Sequence, residues 1–396
     1  MSNTTKTTID KNMPIIQGLL NGTDDNSKKL KFTLSNVDMC FANAIRRTIL
    51  SDIDIVCILS DKFERNQVSI ETNTGRLHNE ILKHRLSCIP IHFNGNKEQM
   101  EDFCENYVLK VDCRNDDDKN EMKIVTTKDF HVFHITTGEE RLDIFKPYSV
   151  GNMHKRYIDF SRLRPRISNT IPGEALKFSA NFSISNAKDN DMYNVVSKCT
   201  YSNTIDEDKA KKRRDELGAE HRSKGLSEAE IEFEGKNFDN LDAQRCFIEN
   251  SFDFVIEGLD IFTNLQLLKM SCQTLIGKFN KIIEKMNDVP ILSSETTMKN
   301  SFDIILVDED YTIGKVLEYI LYTKYYAVKN PTLNFCGFKK FHPHDAKSTI
   351  RVAFVTDTDL KPIHDEAGLN TVTKLLKDAS EHAIKIFEHI ELMVKE

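Results

Sequence analysis

The sequence predicts an α+β fold made of two strand–helix–strand–helix units packed pseudo-symmetrically, the first interrupted by a mostly β inserted domain. Three observations carry this. A short alternating run turns directly into helical periodicity twice, at KLKFTLS–NVDMCFANAIRRTIL and at SFDIILV–DEDYTIGKVLEYILYTKY. Each such opening is followed, further along, by a helix whose apolar residues are spaced three and four in alternation. Between the opening and closing helices of the first unit, from Phe93 to Lys198, short apolar runs alternate with polar breaks and read as strands.

In the first opening, Leu30, Phe32 and Leu34 alternate with Lys29, Lys31 and Thr33, as in a half-buried strand. Phe41, Ala44, Ile45 and Thr48 then share one helical face, while Asn43, Arg46 and Arg47 lie on other parts of that surface. Asn36 and Asp38 suit the helix start, where side-chain oxygens accept from unpaired backbone N–H groups. IDIVCIL reads as a strand. A turn at Asn73 to Gly75 leads into a short helix carrying Leu77, Ile81, Leu82 and Leu86, which Pro90 stops.

These signals divide the chain into a polar tail at 1–28, a discontinuous first unit at 29–56 and 246–287, and an inserted mostly β domain at 57–203. A charged segment at 204–245, a linker at 288–300 and a second unit at 301–396 complete it. The charged segment mixes both signs with few apolar residues, so it reads as a solvated helix or mobile loop. FIENSFDFVIEGL is a strand, and Leu265, Leu268, Cys272, Leu275, Phe279, Ile282 and Met286 form the seam of the helix after it. In the second unit Phe302, Ile304 and Leu306 share one face of a strand, Ile313, Val316, Leu317 and Ile320 share one face of the helix after it, and LNFCGF and TIRVAFV are strands. The final seam runs through Leu369, Val372, Leu376, Ala379, Ala383, Ile386, Ile390 and Met393. Apolar stripes of this length need a partner, so the two units are expected to pack on each other.

Composition bounds the function. A chain of 396 residues with 39% hydrophobic and 29% charged residues fits a globular protein of two or three domains. No apolar run approaches the roughly 20 residues that span a bilayer, and MSNTTKTTIDKN has no apolar signal core, so secretion is not expected. The 9 cysteines are scattered singly without a CxxC pair, which argues for a reducing compartment and against a zinc knuckle. A net charge of −7 does not favour DNA binding by the whole surface.

FxLxxVDxxFANAIRRTIL, followed by GRLHNEILKHRLSCIPI, resembles the alpha-like assembly subunits of multisubunit DNA-dependent RNA polymerases, the bacterial alpha subunit and the third-largest archaeal and eukaryotic subunit among them. VDEDYTIGKVLEYIL and FCGFKKFHPHDAKSTIRVAF resemble the small eleventh subunit, through Glu309, Asp310, Thr312, Ile313 and Gly314 and then Gly337, Phe338, His342, Pro343 and His344. Tyr311 stands where that family commonly has histidine, and the HPH order departs from its usual one. One polypeptide carrying both is similar to the fused subunit of large cytoplasmic DNA viruses, which implies host cytoplasm and virion as its location.

The resemblance implies a non-catalytic assembly platform that pairs its two dimerisation units and docks the two largest polymerase subunits and small ones, meeting DNA and RNA only through the complex and no membrane. It implies contacts through Phe41, Asn43, Ala44, Arg46, Arg47 and Leu50, and a second element of Glu80, His84, Arg85, Leu86 and Pro90. From the seams and the second opening it adds Leu265, Leu268, Leu275, Phe279, Glu309, Asp310, Thr312, Gly314, Leu317, Leu376 and Ile386. Paired arginines suit such work, because guanidinium forks bind carboxylates and carbonyls bidentately. The eukaryotic third-largest subunit carries a cysteine-rich zinc loop; here Cys88, Cys104 and Cys113 lack paired spacing, so no zinc and no cofactor are expected.

Enzyme readings compete poorly. His78, Glu80 and His84 lack the HExxH spacing that puts two histidines one turn apart, and His342 and His344 flank a proline in a turn. Phosphate-binding glycine loops and the GxSxG elbow are absent, and Asp116 to Asp118 sits in an unpatterned polar run that reads as an exposed turn. The alternative of another class is an independent nucleic-acid-binding transcription regulator using Arg46, Arg47 and the KKRR tetrad, whose neighbouring acids largely cancel it.

Overall fold

The computed structural model describes residues 13–21, 29–116, 121–148, 155–168, 170–293, 298, 300–355 and 366–394. The expected turn in NGTDDNS and most of the Asp116 to Asp118 run lie outside the described residues. The fold is mixed α+β, with eight α-helices among the described residues. In chain order these are α1 (Met39–Ser51), α2 (Asn79–Ser87), α3 (Lys97–Asn106), α4 (Glu207–Ser223), α5 (Glu228–Asn240), α6 (Asn264–Glu284), α7 (Tyr311–Leu321) and α8 (Glu366–Met393). The chain divides into two compact units, one of Met1–Ile49, Lys198–Glu257 and Asn264–Glu396, the other of Leu50–Ser197 and Gly258–Thr263.

The first unit holds two four-stranded sheets. One runs in the order Ile15–Asn21, Lys29–Ser35, Phe247–Gly258, Val196–Ile205. The alternation that predicts the strand at Lys29–Ser35 is the alternation of its burial: Leu30, Phe32 and Leu34 are buried, and Phe32 stacks on Phe254 with ring centres 4.9 Å apart. The other sheet runs Ile291–Ser293, Ser301–Val307, Lys347–Phe354, Leu333–Lys339. Helix α6 packs along α8, and α7 also packs on α8.

Three expectations are revised and a fourth is made definite. The polar tail contains the strand Ile15–Asn21, antiparallel to Lys29–Ser35 with Ile16 opposite Leu34. A register shift between Gln17 and Leu20, with Gly18 at φ 62°, breaks its period-two pattern and hides it from the sequence. The linker contributes Ile291–Ser293, which adds a strand to the edge of the second sheet by pairing with Phe302 to Ile304. The region read as mostly β includes α3, with only Met100 and Phe103 buried on it; its signal is the capping box between Asn96 and Gln99. The charged segment takes the solvated-helix alternative, as two helices, α4 and α5, and adds a small cluster of Phe238, Ala243 and Cys246 with Ala210 and Leu217.

The last seam also differs. The buried residues of α8 and its end include Val372, Leu376, Ala379, Ala383, Phe387, Ile390 and Val394, a stripe that repeats every eleven residues, Val372 to Ala383 to Val394, with Leu375 and Ser380 buried along its edge. Ile386 and Met393 lie beside it, half-buried, and Leu369 is exposed. An α-helix has about 3.6 residues per turn, so a strict alternation of three and four drifts off the packed face over a helix this long.

The second unit is built on a five-stranded sheet ordered Val68–Asn73, Ala175–Asn181, Tyr107–Arg114, His131–His134, Glu140–Arg141. Phe103 fills one side of its core between Phe93, Tyr107 and Phe182, with ring centres 4.5–4.9 Å away.

Candidate subunit-interface site

The helices α1 and α7 begin alike. In each, a strand ends at a residue in the left-handed region, Asn36 at φ 58° and Asp308 at φ 59°. Two residues later an aspartate accepts from the backbone N–H two positions on: Asp38 Oδ1 from Cys40 at 2.8 Å, Asp310 Oδ1 from Thr312 at 2.9 Å. These aspartates satisfy a free N–H and complement the positive helix end.

Within the first unit α1 and α7 face each other. Arg47 Nη2 donates to Asp310 Oδ2 at 2.5 Å, and Arg47 Nε donates to the Thr312 hydroxyl at 2.8 Å. The guanidinium of one helix thus closes on the cap of the other. The approach is reciprocal, because Tyr319, as far into α7 as Arg47 is into α1, lines a cleft with Asp38, the cap of α1. The Tyr319 hydroxyl is pushed up by burial and then by the charges of Asp38 and Cys40. Burial works to raise the Asp310 carboxyl, but the Thr312 N–H, the Arg47 charge and both side-chain hydrogen bonds outweigh it and hold the group below its ordinary value. Beneath the polar pair lies an aromatic core. Phe41 meets the edge of Tyr319 at 6.0 Å and Phe387 at 5.6 Å, and Phe387 stacks on Phe279 of α6 at 6.1 Å.

Gly314 is required by packing. A Cβ there would stand 2.0 Å from Cε2 of Phe338, whose ring meets Tyr311 edge-on at 5.3 Å. Phe338 N–H donates to Glu318 Oε1 at 3.0 Å, which fixes the neighbouring strand on α7. Glu309 pairs with Lys278 of α6 at 3.9 Å.

The structure therefore brings together Phe41, Arg47, Phe279, Glu309, Asp310, Thr312 and Gly314. Ala44, Leu268, Leu275, Leu317 and Leu376 are buried in the same unit, whereas Leu265 and Ile386 are only half-buried. Asn43 accepts from its own helix neighbour Arg46, at 3.0 and 3.1 Å, and lines the α1–α7 cleft of about 650 Å³. Leu50 belongs to the other unit, with Glu80, His84, Arg85, Leu86 and Pro90. There Leu86 is buried, Glu80 and His84 are exposed, and Arg85 donates to the carbonyls of Phe160 and Asp159 at 3.0 Å each. Tyr319 and Phe387 are interface residues that the periodicity passes over. Tyr319 lies off the apolar stripe assigned to α7, and Phe387 sits one position from the residue that strict alternation selects.

The other chemically suggestive residues have structural roles. His78 stands at the N-cap position of α2 without a capping bond from its side chain, and His344 N–H donates to His342 Nδ1 at 3.2 Å inside its turn. Burial pushes the Cys57 and Cys336 thiols up to about 12, the reverse of nucleophile activation. Among the described residues no group of three or more His, Cys, Asp or Glu is placed to hold a metal. In the KKRR tetrad, Arg213 pairs with Glu216 at 3.0 Å and Arg214 with Asp239 at 3.0 Å.

This arrangement is protein packing with a charged clasp between two helices of one unit. No family model matches the chain. It is 28% identical over 161 residues to the human DNA-directed RNA polymerases I and III subunit RPAC1, covering 36% of this chain and 43% of the relative. It is 40% identical over 62 residues to the DNA-directed RNA polymerase subunit Rpo3 of Thermococcus kodakarensis, covering 16% of this chain and 21% of the relative. To the DNA-directed RNA polymerases I and III subunit rpc19 of Dictyostelium discoideum it is 30% identical over 104 residues, 26% of this chain and 78% of the relative. The chain spans less than half the length of the RPAC1 and Rpo3 relatives. It belongs to the family of alpha-like DNA-directed RNA polymerase subunits.

Proposed function

We propose that this chain is a fused alpha-like subunit, a non-catalytic platform that pairs its two halves in one polypeptide and docks the two largest subunits of a multisubunit RNA polymerase. The single observation that carries the reading is the clasp of Arg47 on Asp310 and Thr312, which joins the opening helix of one strand–helix unit to that of the other. Support also comes from the matching starts of α1 and α7 and from the reciprocal placement of Tyr319 near Asp38, the pattern of a two-fold interface. The likeness to both RPAC1 and rpc19, which are separate proteins elsewhere, supports fusion. The proposal extends to a protein like the fused subunit of large cytoplasmic DNA viruses, working in the host cytoplasm. The face of α1 that carries the half-buried Arg46 and the face of α2 that carries the exposed Glu80 and His84 are the surfaces offered to the large subunits. The pairing of both arginines of the KKRR tetrad with Glu216 and Asp239 counts against a free nucleic-acid regulator.

Affinity purification of the tagged full chain from its native source tests this. Two very large subunits and several small ones are expected, with recovery reduced by Arg47→Glu. A chain recovered alone that binds DNA overturns the reading.

A further inference from the structure

The unit formed by Leu50–Ser197 and Gly258–Thr263 has a cleft of about 550 Å³ between the start of α2 and the strand Asp159–Leu163. Four arginines line it: Arg76, Arg85, Arg162 and Arg164. Two are already committed. Arg85 is held by the carbonyls of Asp159 and Phe160, and Arg164 Nε donates to Glu174 Oε1 at 2.5 Å. Arg76 and Arg162 are exposed and make no side-chain hydrogen bond or ion pair among the described residues. Like charges gathered in a concave site raise the local potential and favour an anion there. The apolar side of the cleft is Leu77 and Met122, the latter 54% exposed.

We propose that this cleft takes an acidic segment of a partner polymerase subunit, its carboxylates on the Arg76 and Arg162 guanidinium groups and an apolar side chain against Leu77 and Met122. Guanidinium forks match carboxylates bidentately, and Met adapts to an irregular apolar partner. A polypeptide fits better than nucleic acid. The Asp159 carboxylate lines the same cleft, the adjoining surface that shares Arg76 and Leu77 carries Glu80, and the chain's net charge is −7. The cleft also offers Leu77 and Met122 where a single strand would need exposed aromatic rings for base stacking. The proposal rests on the assembly reading and assigns a chemistry to one of its contacts.

The test uses the tagged full chain in its native source, with Arg76→Glu/Arg162→Glu in one line and a photo-crosslinking residue replacing Met122 in another. Both arginines are exposed, so folding is expected to survive; an unchanged melting temperature checks this, and Arg76→Ala/Arg162→Ala serves if charge reversal unfolds the chain. At least a tenfold loss of one partner subunit is expected from the double variant. The crosslink is expected on a peptide of that subunit with several Asp or Glu near the adduct. Unchanged recovery of every subunit, a crosslink to nucleic acid or to a neutral or basic peptide, or no crosslink at all overturns the inference while the assembly reading stands. Failure of the unaltered chain to recover polymerase subunits instead overturns the assembly reading.

Discussion

Arg47 and Asp310 lie 263 positions apart in sequence, yet the guanidinium of one rests on the carboxylate of the other, and the same arginine reaches the Thr312 hydroxyl beside it. The aspartate is already the cap of α7, so one carboxylate organises a helix start and a helix–helix contact together. Hydrogen bonds to charged groups contribute about 1.5–3 kcal/mol, and partial exposure lowers that. Arg47→Ala is expected to cost about 1–2 kcal/mol in urea unfolding. In a double-mutant cycle with Asp310→Ala, a coupling below about 0.3 kcal/mol would show that the clasp contributes no stability.

The depressed carboxyl of Asp310 gives this contact a pH signature. In the unfolded chain an aspartate titrates near about 3.9. With the folded value lower, the unfolded state binds more protons in between, so the contribution is complete above about pH 4 and is lost as pH falls through the folded value. The stability gap between the unaltered chain and Asp310→Asn is expected to be constant from about pH 5 to 7 and to close on the acid side. A gap that widens on acidification would contradict the assigned shift.

Gly314→Ala is expected to destabilise the chain by about 1–3 kcal/mol, the usual range for overpacking, because the new methyl would overlap the Phe338 ring. Combining it with Phe338→Leu, which shortens the obstructing side chain, is expected to cost less than the two changes summed. Additive losses would mean that the ring is not the obstacle.

How far the sequence discloses this molecule depends on how regular each signal is. The strand at Lys29–Ser35 and the buried faces of α1 and α7 follow their periods, so Phe41, Ile45 and Leu317 are core residues as the pattern implies. Ile15–Asn21 is hidden by its own bulge, and α3 by having only two buried side chains to mark a face. The Arg47–Asp310 contact joins distant segments, so local pattern places each residue on its helix without showing that they meet. The resemblance names both as interface residues; their hydrogen bond is a property of the fold.

The seam of α8 shows the limit of periodicity most sharply, and it can be tested. Phe387 is fully buried between Phe41 and Phe279, while Ile386 is half-buried beside the stripe. Phe387→Ala is expected to cost about 3–5 kcal/mol, the range for emptying a buried aromatic site, and Ile386→Ala less than half as much. Equal costs by thermal or urea unfolding would restore the strict alternation of three and four.

The α4–α5 hairpin offers the complementary expectation, a change that leaves the core alone. The strands on either side of it, Val196–Ile205 and Phe247–Gly258, are neighbours in the sheet, with the Thr204 and Ser251 hydroxyls 2.8 Å apart. The hairpin keeps its own small cluster of Phe238, Ala243 and Cys246, and α4 buries no residue fully. A tight turn of a few residues, such as one built on Asn-Gly, is therefore sufficient to join the two strands in place of 206–246. The shortened chain is expected to fold with a melting temperature within about 2 °C of the full one, equivalent to about 1 kcal/mol for a chain of this size. A larger drop would show that the charged helices support the sheet beneath them, and that their exposed, salt-bridged surface is not their whole role.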